Sequence, residues 1–162
     1  MTMSTSPQRP RVYIASPYGF SPATRLYYYQ VVVPLIANLF EVEDPWSYVD
    51  AETVEHALAT LEGEALENFW LDVGEVNIGG IDRSDIVIAF LDGQEVDSGT
   101  ASEVGYASGT GKKVFGIRMD TRESGETGMK VNLQVAKFIH RSGGIISNSL
   151  EEVLDHITHA ES

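Results

Sequence analysis

The sequence predicts one doubly wound α/β domain of the flavodoxin or Rossmann type, built on a parallel sheet. Three observations carry that expectation. Short β-branched or aromatic runs alternate with longer segments of helical spacing. One of the runs, DIVIAFL at 85–91, is apolar almost throughout, as a central strand covered on both faces requires. The chain has 162 residues and 43% apolar composition, which suits a single domain with a full core.

Met1 to Pro10 is polar and contains proline, so it reads as a flexible leader, with the domain spanning 11–162. Arg11 to Ser16 (RVYIAS) forms the first strand, stopped by Pro17, and the loop SPYGFSP comes next. Ser21 to Phe40 has the apolar spacing of a helix, with Ser21 as N-cap, Pro22 at the first helical position and Pro34 as the site of a kink. Phe40 to Val42 is a second short strand, and EDPWSYVDAE a loop. Thr53 to Ile78 is helical in spacing, with Gly63 and Gly74 as places where it divides in two. After the strand Asp85–Leu91 and the loop DGQEVDSG, the order continues with a helix over 100–108 and a strand over 113–117. A polar surface loop over 119–128, a helix over 132–139, a strand over 144–146 and a closing helix over 150–157 complete it. In such a sheet, ligands bind beyond the carboxyl ends of the strands, which singles out SPYGF and DGQEVDSG.

Composition narrows the chemistry. Cysteine is absent, so there is no disulfide, thiolate nucleophile or cysteine zinc site. His56, His140, His156 and His159 are scattered and read as solvated surface residues; no metal and no cofactor is assigned. A formal net charge of −13 opposes nucleic acid polymers and anionic membranes, whose recognition needs clustered Lys and Arg. No apolar run approaches the ~20 residues that cross a bilayer, and MTMSTSPQRP lacks the apolar core of a signal peptide. The expectation is a cytoplasmic protein acting on small, weakly charged ligands.

The segment Asp97-Ser-Gly-Thr-Ala-Ser-Glu103-Val-Gly-Tyr-Ala107 puts two carboxylates at the start of a helix just past a buried strand. Two readings stand side by side. Thr100 and Glu103 have the spacing of a capping box, and a carboxylate so placed also serves as a nucleophile. Both put Glu103 in the first helical turn, where the macrodipole favours its ionised form.

Asp-x-Gly-Thr-x-x-Glu-x-Gly-Tyr-Ala resembles the signature of nucleoside 2-deoxyribosyltransferases. Further anchors in the same order are similar to that family: Tyr13-Ile-Ala-Ser-Pro-Tyr-Gly-Phe20, Gly80-Ile-Asp-Arg-Ser-Asp85 and Asn132-Leu133. The resemblance implies that Glu103 attacks C1' of a 2'-deoxynucleoside, expels the base and holds a deoxyribosyl ester until a second base arrives. The logic parallels retaining glycosidases, with two displacements through an oxocarbenium-like transition state. The resemblance also implies that Tyr13 orients the nucleophile, that Asp97 accepts a hydrogen bond from the sugar 5'-OH, and that Asn132 reaches a neighbouring subunit's site in a homo-oligomer. For these three the plain alternatives are a core aromatic, a loop turn residue or N-cap neighbour, and a helix cap. Tyr18, Phe20 and Trp46 are candidates to wall the base pocket.

Two departures from the pattern matter. Asn77 stands where many members carry the aspartate proposed to protonate the departing base, and an amide is no general acid. Asp72, Asp44 or water then becomes the proton source. The chain also ends in THAES, without the terminal tyrosine that some members extend to a neighbour. A hydrolase of 2'-deoxynucleoside 5'-monophosphates would use the same nucleophile, but the anionic Asp97 opposes a 5'-phosphate. A non-catalytic nucleotide-binding module is the alternative from another class.

Overall fold

Five parallel strands form one sheet in the order β2-β1-β3-β4-β5, with β1 Arg11–Ala15, β2 Glu41–Glu43, β3 Ile86–Phe90, β4 Lys113–Ile117 and β5 Ile146–Ser147. The structure, a computed structural model, describes residues 9–160, so the leader expected over Met1–Pro10 lies outside the described residues except for its last two. Those two are held: the Arg9 guanidinium donates to the Ala37 carbonyl, and the Glu41 amide donates to the Pro10 carbonyl at 3.0 Å.

Alternation along the strands builds two cores. Val12 and Ile14 of β1, with Ile86, Ile88 and Phe90 of β3, face the layer that contains Tyr28, Val32, Ile36, Val153 and Ile157. Tyr13 and Ala15, with Val87, Ala89 and Leu91, face the opposite layer, which contains Ile81, Val104, Ala107, Val135 and Ile139. The central strand is buried at every position, as DIVIAFL required. Tyr13 therefore points to the side of the sheet on which Glu103 stands.

The first crossover is one helical stretch in three parts: α1 Pro22–Tyr27, a π-helical turn Tyr28–Val32, and α2 Val33–Ala37. Pro34 does not break it. The Val33 amide bonds the Tyr28 carbonyl, five residues back, just ahead of the proline that has no N–H for the carbonyl of Gln30. The widened turn carries the buried Tyr28, whose hydroxyl donates to Asp44 at 2.7 Å.

The long segment after β2 divides at Leu61–Glu62 into α3 Ala51–Thr60 and α4 Gly63–Arg83. Gly63, with φ of +54°, makes the corner, and Gly74 lies within an unbroken helix that runs five residues past Ile78. The remaining helices are α5 Ser98–Gly109, α6 Leu133–Arg141 and α7 Leu150–Ala160. The second and fifth strands each begin later than the sequence suggested. No regular element is assigned between Ile117 and Leu133, where the polar loop was expected.

Candidate active site

The strand order turns at β1: the chain moves to β2 on one side and to β3 on the other, and a crevice opens beyond the carboxyl ends of β1 and β3. A cavity of about 410 Å³ lies there. Ser16 and Phe20 line it from the loop after β1, Pro45 and Trp46 from the loop after β2, and Asp97, Gly99, Thr100 and Glu103 from α5 and its cap. Trp70, Val73 and Asn77 add the face of α4. Both loops singled out by the strand–loop pattern contribute.

Asp97 is the N-cap of helix α5. Its carboxylate Oδ2 accepts from the Thr100 amide at 2.9 Å and from the Thr100 hydroxyl at 3.2 Å, as an N-cap does. This overturns the capping box between Thr100 and Glu103. Counted from the true cap, Glu103 is the sixth helical residue, in the second turn, and no acidic residue occupies the first. The macrodipole argument fails with it. Burial pushes the Glu103 carboxyl up to about 7, and the charge of Asp97 pushes the same way, against the hydrogen bond from Tyr13.

Tyr13 is wholly buried in β1, and its hydroxyl donates to Glu103 Oε1 at 2.6 Å. Burial and the neighbouring carboxylate hold the phenol well above its ordinary pKa, so it stays a donor. Tyr13 does not line the cavity. Its contact with the cavity wall is the hydrogen bond to Glu103.

Trp46 is fixed by two devices. Asp44 caps the short 3-10 turn Pro45–Ser47 by accepting from the Trp46 amide at 3.0 Å, and the indole Nε1 donates to the Ser16 carbonyl at 3.0 Å. Gly19 makes room for the ring: a Cβ there would come within 2.1 Å of Trp46 Cδ2. Phe20 stands edge-on to the indole at 4.7 Å and is 72% exposed, so it forms the rim of the cavity.

Two expectations are corrected. Tyr18 does not wall the pocket: it packs on Phe90 in the opposite core, and its hydroxyl donates to Asp92. Asp44 is buried and bonded to Tyr28, and Asp72 is exposed on α4; neither lines the cavity as a proton source. Asn132 caps α6 by accepting from the Gln134 amide at 2.9 Å and is away from its own chain's cavity. Asn77 does line the cavity, and its Oδ1 is buried with no hydrogen-bond partner among the described residues. The four histidines are exposed.

Trp70 and Val73 were missed. They precede Asn77 by seven and four residues, so helical spacing from Asn77 places all three on one face of α4. That spacing was the available signal.

A tyrosine-bonded carboxylate bordering an aromatic-walled cavity in a parallel α/β domain has the make-up of a small-molecule site. The sequence model of the nucleoside 2-deoxyribosyltransferases matches residues 12–142, and the chain belongs to that family. No match is found among curated protein sequences. Among solved structures, a conserved protein from Enterococcus faecalis V583 is similar at a TM-score of 0.69 and 22% identity, over 93% of this chain and 98% of that one. The 2-deoxyribosyltransferase from the psychrotolerant bacterium Bacillus psychrosaccharolyticus is similar at 0.53 and 22%, over 80% and 82%. The Clostridium botulinum CMP N-glycosidase BcmB aligns at 0.46 and 19%, over 91% and 98%.

Proposed function

We propose that the protein transfers 2-deoxyribose between nucleobases through a covalent deoxyribosyl ester on Glu103. The observation that carries this reading is the 2.6 Å hydrogen bond from Tyr13 to a Glu103 carboxylate that borders an apolar cavity. In the first step a Glu103 oxygen forms a bond to C1', and the N-glycosidic bond breaks. The bonding electron pair leaves on the base nitrogen, which takes a proton from water. In the second step the incoming base nitrogen attacks C1' and gives its proton to the hydroxide left by the first step, while the C1'–O ester bond breaks and its electron pair returns to Glu103.

Each neighbour has a part. Tyr13 holds one carboxylate oxygen in place. Trp46, Trp70 and Phe20 give the base apolar and aromatic walls. One oxygen of Asp97 caps α5, and the other is proposed to accept the sugar 5'-OH; its charge opposes a 5'-phosphate and favours unphosphorylated nucleosides. We further propose a cytoplasmic homo-oligomer acting in nucleoside salvage. The exposed Trp70, Leu71 and Val76 on α4 and the position of Asn132 outside its own cavity support shared sites.

Incubation with deoxyadenosine and free cytosine is expected to yield deoxycytidine and adenine. Release of free deoxyribose alone would replace transfer with hydrolysis. A 2-fluoro-2-deoxy nucleoside is expected to leave a sugar adduct on Glu103 detectable by intact mass; reversible binding with no adduct would make the chain a binding module.

A further inference from the structure

The Tyr18 phenol donates to Asp92 Oδ2 across 74 positions of sequence, from the short 3-10 turn Pro17–Gly19 to the second residue past the end of β3. The other oxygen, Oδ1, accepts from the Asp120 amide at 2.6 Å, so this carboxylate is itself held from the loop after β4. Burial, and the hydrogen bond to the carboxylate, keep the phenol above its ordinary pKa, and it stays a donor. The Tyr18 ring is buried, tilted against Phe90 at 5.1 Å and edge-on to Tyr27 at 6.1 Å. Apolar packing of this kind is non-directional, whereas the hydrogen bond sets how deep the ring sits and which way it faces.

The turn that carries Tyr18 is the footing of two cavity walls. Ser16, its N-cap, accepts the Trp46 indole N–H on its carbonyl, Gly19 leaves the space the indole fills, and Phe20 stands against the ring. Asp44 fixes the Trp46 backbone, which leaves the setting of the indole to the turn. Thr24 and Arg25 bond to the carbonyls of Tyr18 and Gly19, but both belong to α1, so they join the turn to its own helix and not to the sheet. We propose that Tyr18 is a positioning residue for the aromatic wall: its bond to Asp92 fixes the turn to the carboxyl edge of β3, and through the turn it sets the place of Trp46 and Phe20. The Tyr18 ring lies in the core opposite the one that contains Tyr13, the residue bonded to Glu103. The contact therefore governs how a base is seated and leaves the nucleophile alone. Its meaning for a base rests on the base-exchange reading; the setting of the indole does not.

Tyr18→Phe tests this, because it keeps the buried ring and removes only the hydroxyl. The chain has two tryptophans, so Trp70→Phe leaves Trp46 as the sole indole emitter. In that background, Tyr18→Phe is expected to raise the acrylamide quenching constant of Trp46 about twofold or more, as the loosened indole meets the quencher more often. An unchanged constant overturns the proposal. In the chain with both tryptophans, Tyr18→Phe is expected to raise KM for the acceptor base about fivefold while kcat stays within about twofold. An unchanged KM, with or without a lower kcat, also overturns it, since simple loss of folded protein lowers kcat alone. If the wild-type chain exchanges no bases, the transfer reading fails, and the quenching of Trp46 still decides whether Tyr18 sets the indole.

Discussion

The phenol of Tyr13 reaches across 90 positions of sequence to hold Glu103 at 2.6 Å, from the middle of β1 to the second turn of α5. A nucleophile must be ionised, and burial raises this carboxyl to about 7. The ionised fraction falls as pH drops through that value. We expect kcat/KM for base exchange to decline about tenfold per pH unit well below pH 7. Tyr13→Phe removes the contact that favours the charged form, so the acid limb should move up by about one unit. A pH profile of both enzymes checks this; coincident limbs would detach Tyr13 from the ionisation of Glu103.

Glu103→Gln should nearly abolish transfer, because an amide oxygen is a poor nucleophile of nearly the same shape. The same change should affect stability in a pH-dependent way. A folded-state carboxyl raised from 4.5 to about 7 stabilises the protonated fold, and that contribution is present below about pH 4.5 and lost as pH rises through 7. The glutamine variant should therefore be more stable than wild type above pH 7, by on the order of 3 kcal/mol, and gain little at pH 4.5. Thermal melts at the two pH values measure it.

Asp97 combines two roles that substitution separates. Asparagine caps as well as aspartate, so Asp97→Asn should keep α5 stable, whereas Asp97→Ala should cost about 1 kcal/mol. Both remove the negative charge near the proposed 5' position. Competition between deoxyadenosine and its 5'-monophosphate should shift toward the nucleotide in both variants; an unchanged ratio would place the 5' end of the sugar elsewhere.

Asn77→Asp would put a third carboxylate in a cavity already holding Asp97 and Glu103. Like charge and burial should raise its pKa toward neutrality, where it can protonate a departing base. Faster base release, with a new basic limb in the pH profile, is the expected result in single-turnover measurements. An unchanged rate would mean that protonation does not limit departure.

Gly19→Ala should damage the site without touching a polar group. Its Cβ would meet the indole of Trp46 at 2.1 Å, forcing the ring off the Ser16 carbonyl. We expect KM for the acceptor base to rise several-fold with a smaller change in kcat, read from steady-state kinetics.

The sheet was readable in sequence because burial on both faces leaves a strand such as Asp85–Leu91 nearly free of polar residues. The ends of elements were less so. Nothing local distinguishes Asp97 from Thr100 as the cap of α5, since both residue types cap helices; the choice depends on how β3 delivers the loop, and it moved Glu103 out of the first turn. Tyr18 and Phe20 flank the same glycine, yet one turns into the core toward Asp92 and the other to the rim beside Trp46. Their fates are decided by partners about 70 and 26 positions away, which a local pattern does not display.

The π turn between Tyr28 and Val32 acts as a vernier on the first helical stretch. One extra residue in a helical turn rotates α1 by about 100° relative to α2. Behind the turn, Ile36 is locked into the core; ahead of it, Thr24 and Arg25 grip the loop after β1 through the carbonyls of Tyr18 and Gly19, at 2.8 and 2.5 Å. The aim of the rim at Phe20 is thus set by an angular phase, stored in a segment that touches no substrate. Deleting a single residue from 28–32 would leave a complete set of site residues, with the loop after β1 pointed the wrong way.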